Sequence, residues 1–505
     1  MANRKRVPQG RGVAEPFPIP APLMGLNTLS DFTLLKPTEA RVFENWLSDE
    51  GRCRVRPGYV EHQEITGETS VPSLMVWEGA TGRQLIAASG GELYDVSGVP
   101  NDITTAANYT DNLWSWANFN GFLFGVNATD TPWRYDGGGA TAATGFTGPT
   151  LTTLQTVTQV RNRLWFSRTS TADFSYGGIG AVTGALTAFQ ISQIASGGKG
   201  MDVGAWSRDA GDGADDFTVF IMSTGQVIVY QGDPATSFSL VGKYNAPAPV
   251  GPDCTIQVGG ELVIMTVSGP IPVSAIMAGA AFKPEALAEW GKIAGSWATD
   301  FKRYGTNAGW NAYFFNGLVY FVIPTGLATN KLYVLNTRNS SWQIYTGMPV
   351  AMLADLSGNL YFGSVSDGWV YRHATGSDNG AAIIAFARQG WSYPTQGKRS
   401  AQYTMMRPHI SSSSSCQAQF QVDVDFTDSE ITAPVVDLVT EAEGAEWDVA
   451  AWDEEDWASD PVSHRFWHSI KGKGRAVAPV VRTYSTADLV EWSATDILAK
   501  AGGQL

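Results

Sequence analysis

Short apolar and aromatic runs recur along the chain, most of them entered through a glycine that follows a small polar residue. They are GELYDV (91–96), GFLFGV (121–126), RLWFSR (163–168), GQVIVY (225–230), GELVIM (260–265), GLVYFV (317–322) and GNLYFG (358–363). Several are followed about ten residues later by a second run: TPWRYDG (131–137), NKLYVLNT (330–337) and DGWVYRH (367–373). β-Branched and aromatic residues bounded by Gly, Asn and Asp predict strands joined by tight turns. The seven cores recur at a mean spacing of roughly 45 residues, with several strands per repeat, as in a β-propeller. One blade has two apolar faces and needs a neighbour on each, so blades must stack around a ring. The pattern predicts a propeller over 65–376 with seven blades, or six if two cores share a blade. Gly91, Gly121, Gly225, Gly260, Gly317 and Gly358 are expected at its hairpin turns.

The flanks have a different texture. Residues 1–35 are proline-rich and irregular, with Pro8, Pro16, Pro18, Pro20 and Pro22, and predict an extended arm, basic at its start. KPTEARVFENWL (36–47) predicts a helix, with Phe43, Trp46 and Leu47 on one face. GRCRVRPGYVEHQEI (51–65) reads as strand, Pro-Gly turn and strand, with Arg52, Arg54 and Arg56 sharing a face. Residues 283–303 break the strand pattern. Leu287, Trp290, Ile293 and Trp297 have helical spacing there, and Gly291 and Gly295 weaken the helix. After 377 the strands lengthen. FQVDVDF places Phe420, Val422, Val424 and Phe426 on one face and Gln421, Asp423 and Asp425 on the other, expected to be exposed. SHRFWHSI, with His464 and His468, reads as one strand. The expected organisation is mainly β: an N-terminal arm (1–24), a propeller (65–376), and a β-rich platform built from 25–64 and 377–505.

Composition narrows the class. Charged residues are 16% of the chain, hydrophobic residues 44%, and there are 55 Gly, 18 Trp, 17 Tyr and 23 Phe. Few charges with many aromatics and glycines disfavour a helical bundle and disfavour disorder. The net charge is −14, from 48 acids against 34 Lys and Arg, so a large basic footprint for gripping nucleic acid is absent. Cys53, Cys254 and Cys416 are scattered and form no disulfide framework. The N-terminal sequence lacks an apolar signal core, and the longest apolar stretches are too short to span a bilayer.

Candidate chemistry is thin. No P-loop, nucleophile-elbow or HExxH pattern is present. His464 and His468 read as surface or interface residues, not as a zinc pair. Asp209, Asp212, Asp215 and Asp216 lack EF-hand spacing and read as a polar loop. The expectation is no catalytic residue, no metal and no cofactor. Two features read as surfaces. Asp423 and Asp425, with Asp453, Glu454, Glu455 and Asp456, are candidates for a channel wall or a subunit contact. The stretch 441–460 holds nine acids and no Lys or Arg, and 461–482 holds five basic residues and no acid, so the two could pair. Trp46, Trp447, Trp452, Trp457 and Trp492 are candidates for platform core or interface.

Three stretches together resemble a known family. GLNTLSDFTLLKPTEARVFENWLSDEGRCRVRPGYVEH (25–62) is similar to the N-terminal segment of tail nozzle (tail hub) proteins of short-tailed bacteriophages. The matching features are GLNT at 25–28, NW at 45–46 and RPGY at 56–59. EWDVAAWDEEDWASDPVSHRFWHSIKGKGRAVAPVV resembles the family's repeated WD…W segment and following strands, and VEWSATDILAKAGGQL its closing strand. The acidic run DEEDWASD (453–460) departs from the glycine-rich turn usual there.

The resemblance implies a virion structural protein, made in the host bacterial cytoplasm and assembled into the phage tail. It implies a ring, expected to be a hexamer, that continues the DNA channel below the portal and adaptor. Tail fibre or tip proteins would lie at its periphery or below. Genomic DNA would pass without tight binding, and no stable membrane insertion is expected. Two other classes remain: a glycan-binding or glycan-degrading tail-spike propeller, and a monomeric propeller scaffold for partner binding.

Overall fold

The computed structural model describes residues 14–105, 108–209, 214–397, 399–438 and 462–501. The chain divides into two compact units, one formed by 58–374 and the other by 1–57 with 375–505.

The 58–374 unit is a β-propeller of seven successive antiparallel sheets. Blade 1 comprises Ser73–Gly79, Gly82–Ser89, Glu92–Asp95 and Asn101–Asp102. Blade 2 comprises Ser115–Phe119, Phe122–Val126, Trp133–Tyr135 and Ala142–Ala143. Blade 3 comprises Leu154–Val160, Arg163–Arg168, Phe174–Tyr176 and Thr187–Phe189. Blade 4 comprises Gly200–Asp209, Ala214–Met222, Gln226–Gln231 and Ser239–Asn245. Blade 5 has Thr255–Val258, Glu261–Thr266 and Gly269–Pro272. Blade 6 comprises Asn311–Phe315, Leu318–Ile323, Asn330–Asn336 and Ser341–Met348. Blade 7 comprises Val350–Leu356, Asn359–Ser364 and Trp369–Ala374, and its fourth strand is Gly58–Glu64 from the front of the unit. First strands of neighbouring blades touch all the way round, and blade 7 returns to blade 1.

Period-two patterning explains the stacking. In Ser73–Gly79, Leu74 and Val76 pack against Ala354, Tyr361 and Val370 of blade 7. Met75 and Trp77, on the other face, pack against Trp114, Leu123 and Trp133 of blade 2. Apolar layers of the same kind join blades 2 and 3, 3 and 4, and 6 and 7, as a two-faced sheet requires. Five of the seven cores recognised in the sequence are second strands of blades, whereas GELYDV and GQVIVY are third strands. Gly121 and Gly358 turn their hairpins at φ of 80°, but at the blade 5 hairpin the left-handed residue is Gly259, not Gly260.

The 283–303 insertion is helical, as short 3₁₀ turns followed by an α-helix, Ala294–Tyr304. It occupies the stretch where blade 5 would otherwise place a fourth strand. Trp297 is fully buried against Trp310, Phe321 and Tyr333, and its indole donates to the Thr266 carbonyl at 2.9 Å. Gly291 is confined, because a Cβ there would lie 1.9 Å from the Pro284 carbonyl oxygen.

The terminal unit holds two groups of strands. In one, Trp46–Asp49, Arg52–Val55, Val490–Ala501, Ala401–Ser412 and Val462–His464 lie side by side. Glu15–Pro20 also pairs with Val490–Ala501, and His468–Gly474 with Ala401–Ser412. The other orders Ala40–Glu44, Ile383–Gln389, Val477–Ser485, Cys416–Val424 and Val436–Leu438. Phe420 of the second group meets His468 of the first, ring centroids 4.7 Å apart.

Four expectations are corrected here. Residues 36–47 are not a helix: Ala40–Glu44 and Trp46–Asp49 are strands. Asn45 stands between them at φ 57°, which shifts the strand phase, so Phe43, Trp46 and Leu47 are all buried without a helix. The arm is not wholly irregular. Glu15–Pro20 adds an edge strand with a proline at every second position, which an edge tolerates because half its N–H groups face outward. The two strands of 51–65 are not a hairpin: Arg52–Val55 pairs with Trp46–Asp49, and Gly58–Glu64 with Trp369–Ala374. SHRFWHSI is not one strand, since Val462–His464 ends before His468–Gly474 begins.

Candidate functional site

The connections that enter the first strands of blades 1, 2, 5 and 6 gather at one mouth of the propeller channel. Two adjoining cavities of about 510 and 370 Å³ open there and share Asp111, Leu113, Asn307, Ala308 and Gly309. Asp111 is held by its neighbours: its N–H donates to Asp130 at 3.0 Å, and its carboxylate accepts from the Leu113 N–H at 2.9 Å. Asn127 donates to the Asp111 carbonyl and to Asp130. Burial opposes charge on Asp130, but hydrogen bonds from Asn127, Thr110 and Asp111 outweigh it and hold its pKa below the usual value. Across the cleft, Asn307 donates to the Pro324 carbonyl at 2.8 Å, and Asn311 to the Gly309 and Ala351 carbonyls at 2.9 Å.

Two further carboxyls, Asp253 on the cleft and Asp202 buried behind Thr255, interact electrostatically. Asp253 lines the smaller cavity, has φ 54°, and accepts from the Ser115 hydroxyl at 3.4 Å. Asp202, on the first strand of blade 4, is fully buried and accepts from the Val203 N–H, the Thr255 N–H and the Thr255 hydroxyl. Burial raises the pKa of both. Asp253 is pushed up to about 7, with the charge of Asp202 adding to burial. Cys254 between them is fully buried, and burial pushes its thiol up as well, so it is inert. The cleft lining offers carboxyls, amides and hydroxyls but no lysine, arginine or histidine among the described residues. It suits hydrogen-bonded recognition of a polar, non-anionic group.

The residues singled out from sequence are placed as follows. Trp46 and Trp492 come together in the terminal unit, both with no exposed surface. Asp423 is not on an exposed face. It is buried and clamped by Arg41 and by Arg388, the latter at 2.7 Å. Burial raises its pKa against the pull of the two guanidinium groups. A clamped, buried carboxylate is not an open acidic wall. Asp425 lies past the strand end at φ 45° and accepts from the N–H groups of Arg475 and Ala476, so it pins a turn. His464 is buried beside the Ser412 hydroxyl, and burial lowers the pKa of both His464 and His468. Trp447, Trp452, Trp457, Asp453, Glu454, Glu455, Asp456 and Asp212 lie outside the described residues.

Sequence reasoning missed Asp111, Asp202 and Asp253. The available signal was an aspartate inside or against an apolar strand, as in GMDVG and GPDCT. It also missed the partner of Arg56. This side chain is fully buried and makes a two-point contact with Asp378 at 2.7 and 2.8 Å, with Asn45 accepting from its Nε.

No protein-family model matches the chain, and no curated protein matches it. Solved structures that it resembles are propellers at low similarity. A catalytically inactive virginiamycin B lyase from Staphylococcus aureus with quinupristin is 10% identical at a TM-score of 0.40, over 62% of this chain and 97% of that one. YCF48 from Cyanidioschyzon merolae is 12% identical at 0.35, over 63% and 98%. Sqt1 from Saccharomyces cerevisiae is 9% identical at 0.37, over 63% and 99%.

Proposed function

We propose that this chain is a virion structural protein, a tail-nozzle subunit that closes with copies of itself into a ring of six. The ring continues the DNA channel below the portal and adaptor, helps retain the packaged genome and passes it at ejection. One observation carries the reading. The two terminal segments with nozzle-like sequence, 25–57 and 377–501, belong to one β unit, and the residues between them form a propeller. Trp46, from the NW feature, packs on Trp492, from the closing strand. In this role the chain is not an enzyme and needs no cofactor. Its net charge of −14 favours a channel that repels phosphate and lets DNA slide. Tail fibre or tip proteins are the peripheral partners.

The test is assembly. Purified chain, alone and with portal–adaptor complexes, is sized by native mass spectrometry and imaged by electron microscopy. A closed ring is expected, and a single chain under both conditions refutes the role.

A second reading, a glycan-binding propeller, is favoured by the cleft of Asp111, Asn127, Asn307 and Asp253, whose carboxyls and amides suit hydroxyl groups. Binding of host-surface glycan by the isolated chain, lost in Asp111→Ala, would support it.

A further inference from the structure

On the sheet of the terminal unit, strand Ala401–Ser412 lies between His468–Gly474 and Val490–Ala501. Its inner face is apolar: Ala401, Tyr403 and Met406 are buried, as is Ile470 of the neighbouring strand. The outer face alternates with this and is polar. Gln402 stands in register with Lys473 on one side and Lys500 on the other, so the two lysines flank it and lie roughly 10 Å apart, two strand spacings. Lys471 lies two residues from Lys473 on the same face, and all three lysines are exposed. A cleft of about 940 Å³ runs over this face, lined also by Ser400, Thr404 and Ser469 and by no carboxylate among the described residues. The nearest carboxylates along the central pair of strands are committed elsewhere. Asp496 accepts from Arg407 at 2.6 Å and contacts His409 at 3.0 Å, and Glu491 accepts from Arg52 at 2.6 Å. Burial opposes charge on Asp496, but those hydrogen bonds prevail and keep it ionised.

A row of lysines with no carboxylate beside it among the described residues is unusual on a chain of net charge −14. We propose that the face carrying Lys471, Lys473 and Lys500 is a contact surface for the phosphodiester backbone of nucleic acid. The donor set fits phosphate oxygens. Lysine ammonium groups with serine, threonine and glutamine side chains are the groups that meet phosphate oxygens without reading bases. Three phosphate contacts give weak, sequence-independent binding, which is compatible with a strand that slides. The inference rests on these side chains and holds whether or not the chain forms a ring.

The test uses the full chain and fluorescein-labelled oligonucleotides, single-stranded and duplex, with anisotropy read across 50–200 mM salt. Three contacts predict a log–log salt slope of about −2.7 on duplex, so affinity falls about forty-fold over that range. Lys471→Gln, Lys473→Gln and Lys500→Gln together should remove most of the binding and flatten the slope. The matching triple replacement by Arg should keep both, which separates lost charge from a damaged fold. Equal affinity and slope in wild type and the Gln variant overturn the proposal, as does wild-type binding that ignores salt. A Gln variant that changes oligomeric state while DNA binding stays intact also overturns it, assigning the face to a protein partner.

Discussion

The indole of Trp46, near the front of the chain, lies 5.7 Å from that of Trp492, near its end, ring centroid to centroid, and neither is exposed. Strands Arg52–Val55 and Val490–Ala501 pair beside them, with Cys53 opposite Trp492. The terminal unit is thus knitted from both ends of the sequence. Trp46→Ala or Trp492→Ala should cost about 3–5 kcal/mol in that unit, the usual loss for emptying a large aromatic site. Denaturant titration should show an early transition for the terminal unit and an unchanged one for the propeller.

Arg56 and Asp378 make the second link across the sequence. Removing one partner strands the other. Asp378→Ala should cost about 3–5 kcal/mol, because it leaves a buried guanidinium without its carboxylate. Asp378→Asn, which keeps acceptor oxygen but not charge, should cost less. Chemical denaturation of both variants, in a double-mutant cycle with Arg56→Met, measures the coupling.

Asp253 gives a pH dependence whose sign is opposite to that of an ordinary ion-paired acid. Its folded pKa is raised to about 7 from the 3.8 of a free carboxyl. Between those values the folded state holds a proton that the unfolded state has released. This contribution to stability is therefore present at the acidic end and is lost as pH rises through 7. The slope is at most about 1.4 kcal/mol per pH unit for one group. Asp253→Asn should flatten the fall in propeller stability between pH 5 and 8, measured by thermal melts across that range. An unchanged slope would show that Asp253 titrates normally.

Closure of blade 7 by Gly58–Glu64 makes a prediction about fragments. A piece spanning 58–374 should fold as a monomeric propeller, because that strand pairs with Trp369–Ala374. A piece starting at 66 should not, since blade 7 then exposes Trp369–Ala374 as an open edge. A cut at residue 60 falls inside the closing strand and should weaken the ring. Circular dichroism and proteolysis of the fragments distinguish these outcomes.

The propeller was legible because its signal is periodic and repeated: a core presents alternating apolar residues to two neighbours, as Leu123 and Phe124 of GFLFGV do. The segment 36–47 was misread because one residue, Asn45, takes a left-handed conformation and breaks strand phase in a way that imitates helical spacing. Asp423 was misread for a different cause. Alternation places it on one face of its strand, but only the fold brings Arg41 and Arg388 over that face. The mouth cleft was not legible at all, because Asp111, Asp253 and Asn307 come from different blades and meet only when the ring closes.

The most direct test of the nozzle account is the composition and tail map of purified virions. Mass spectrometry of intact particles, with cryo-electron microscopy of the tail, should find this chain in six copies around the DNA channel below the portal. Absence of the chain from intact particles, or a density showing it as an isolated propeller away from the channel, would contradict the account.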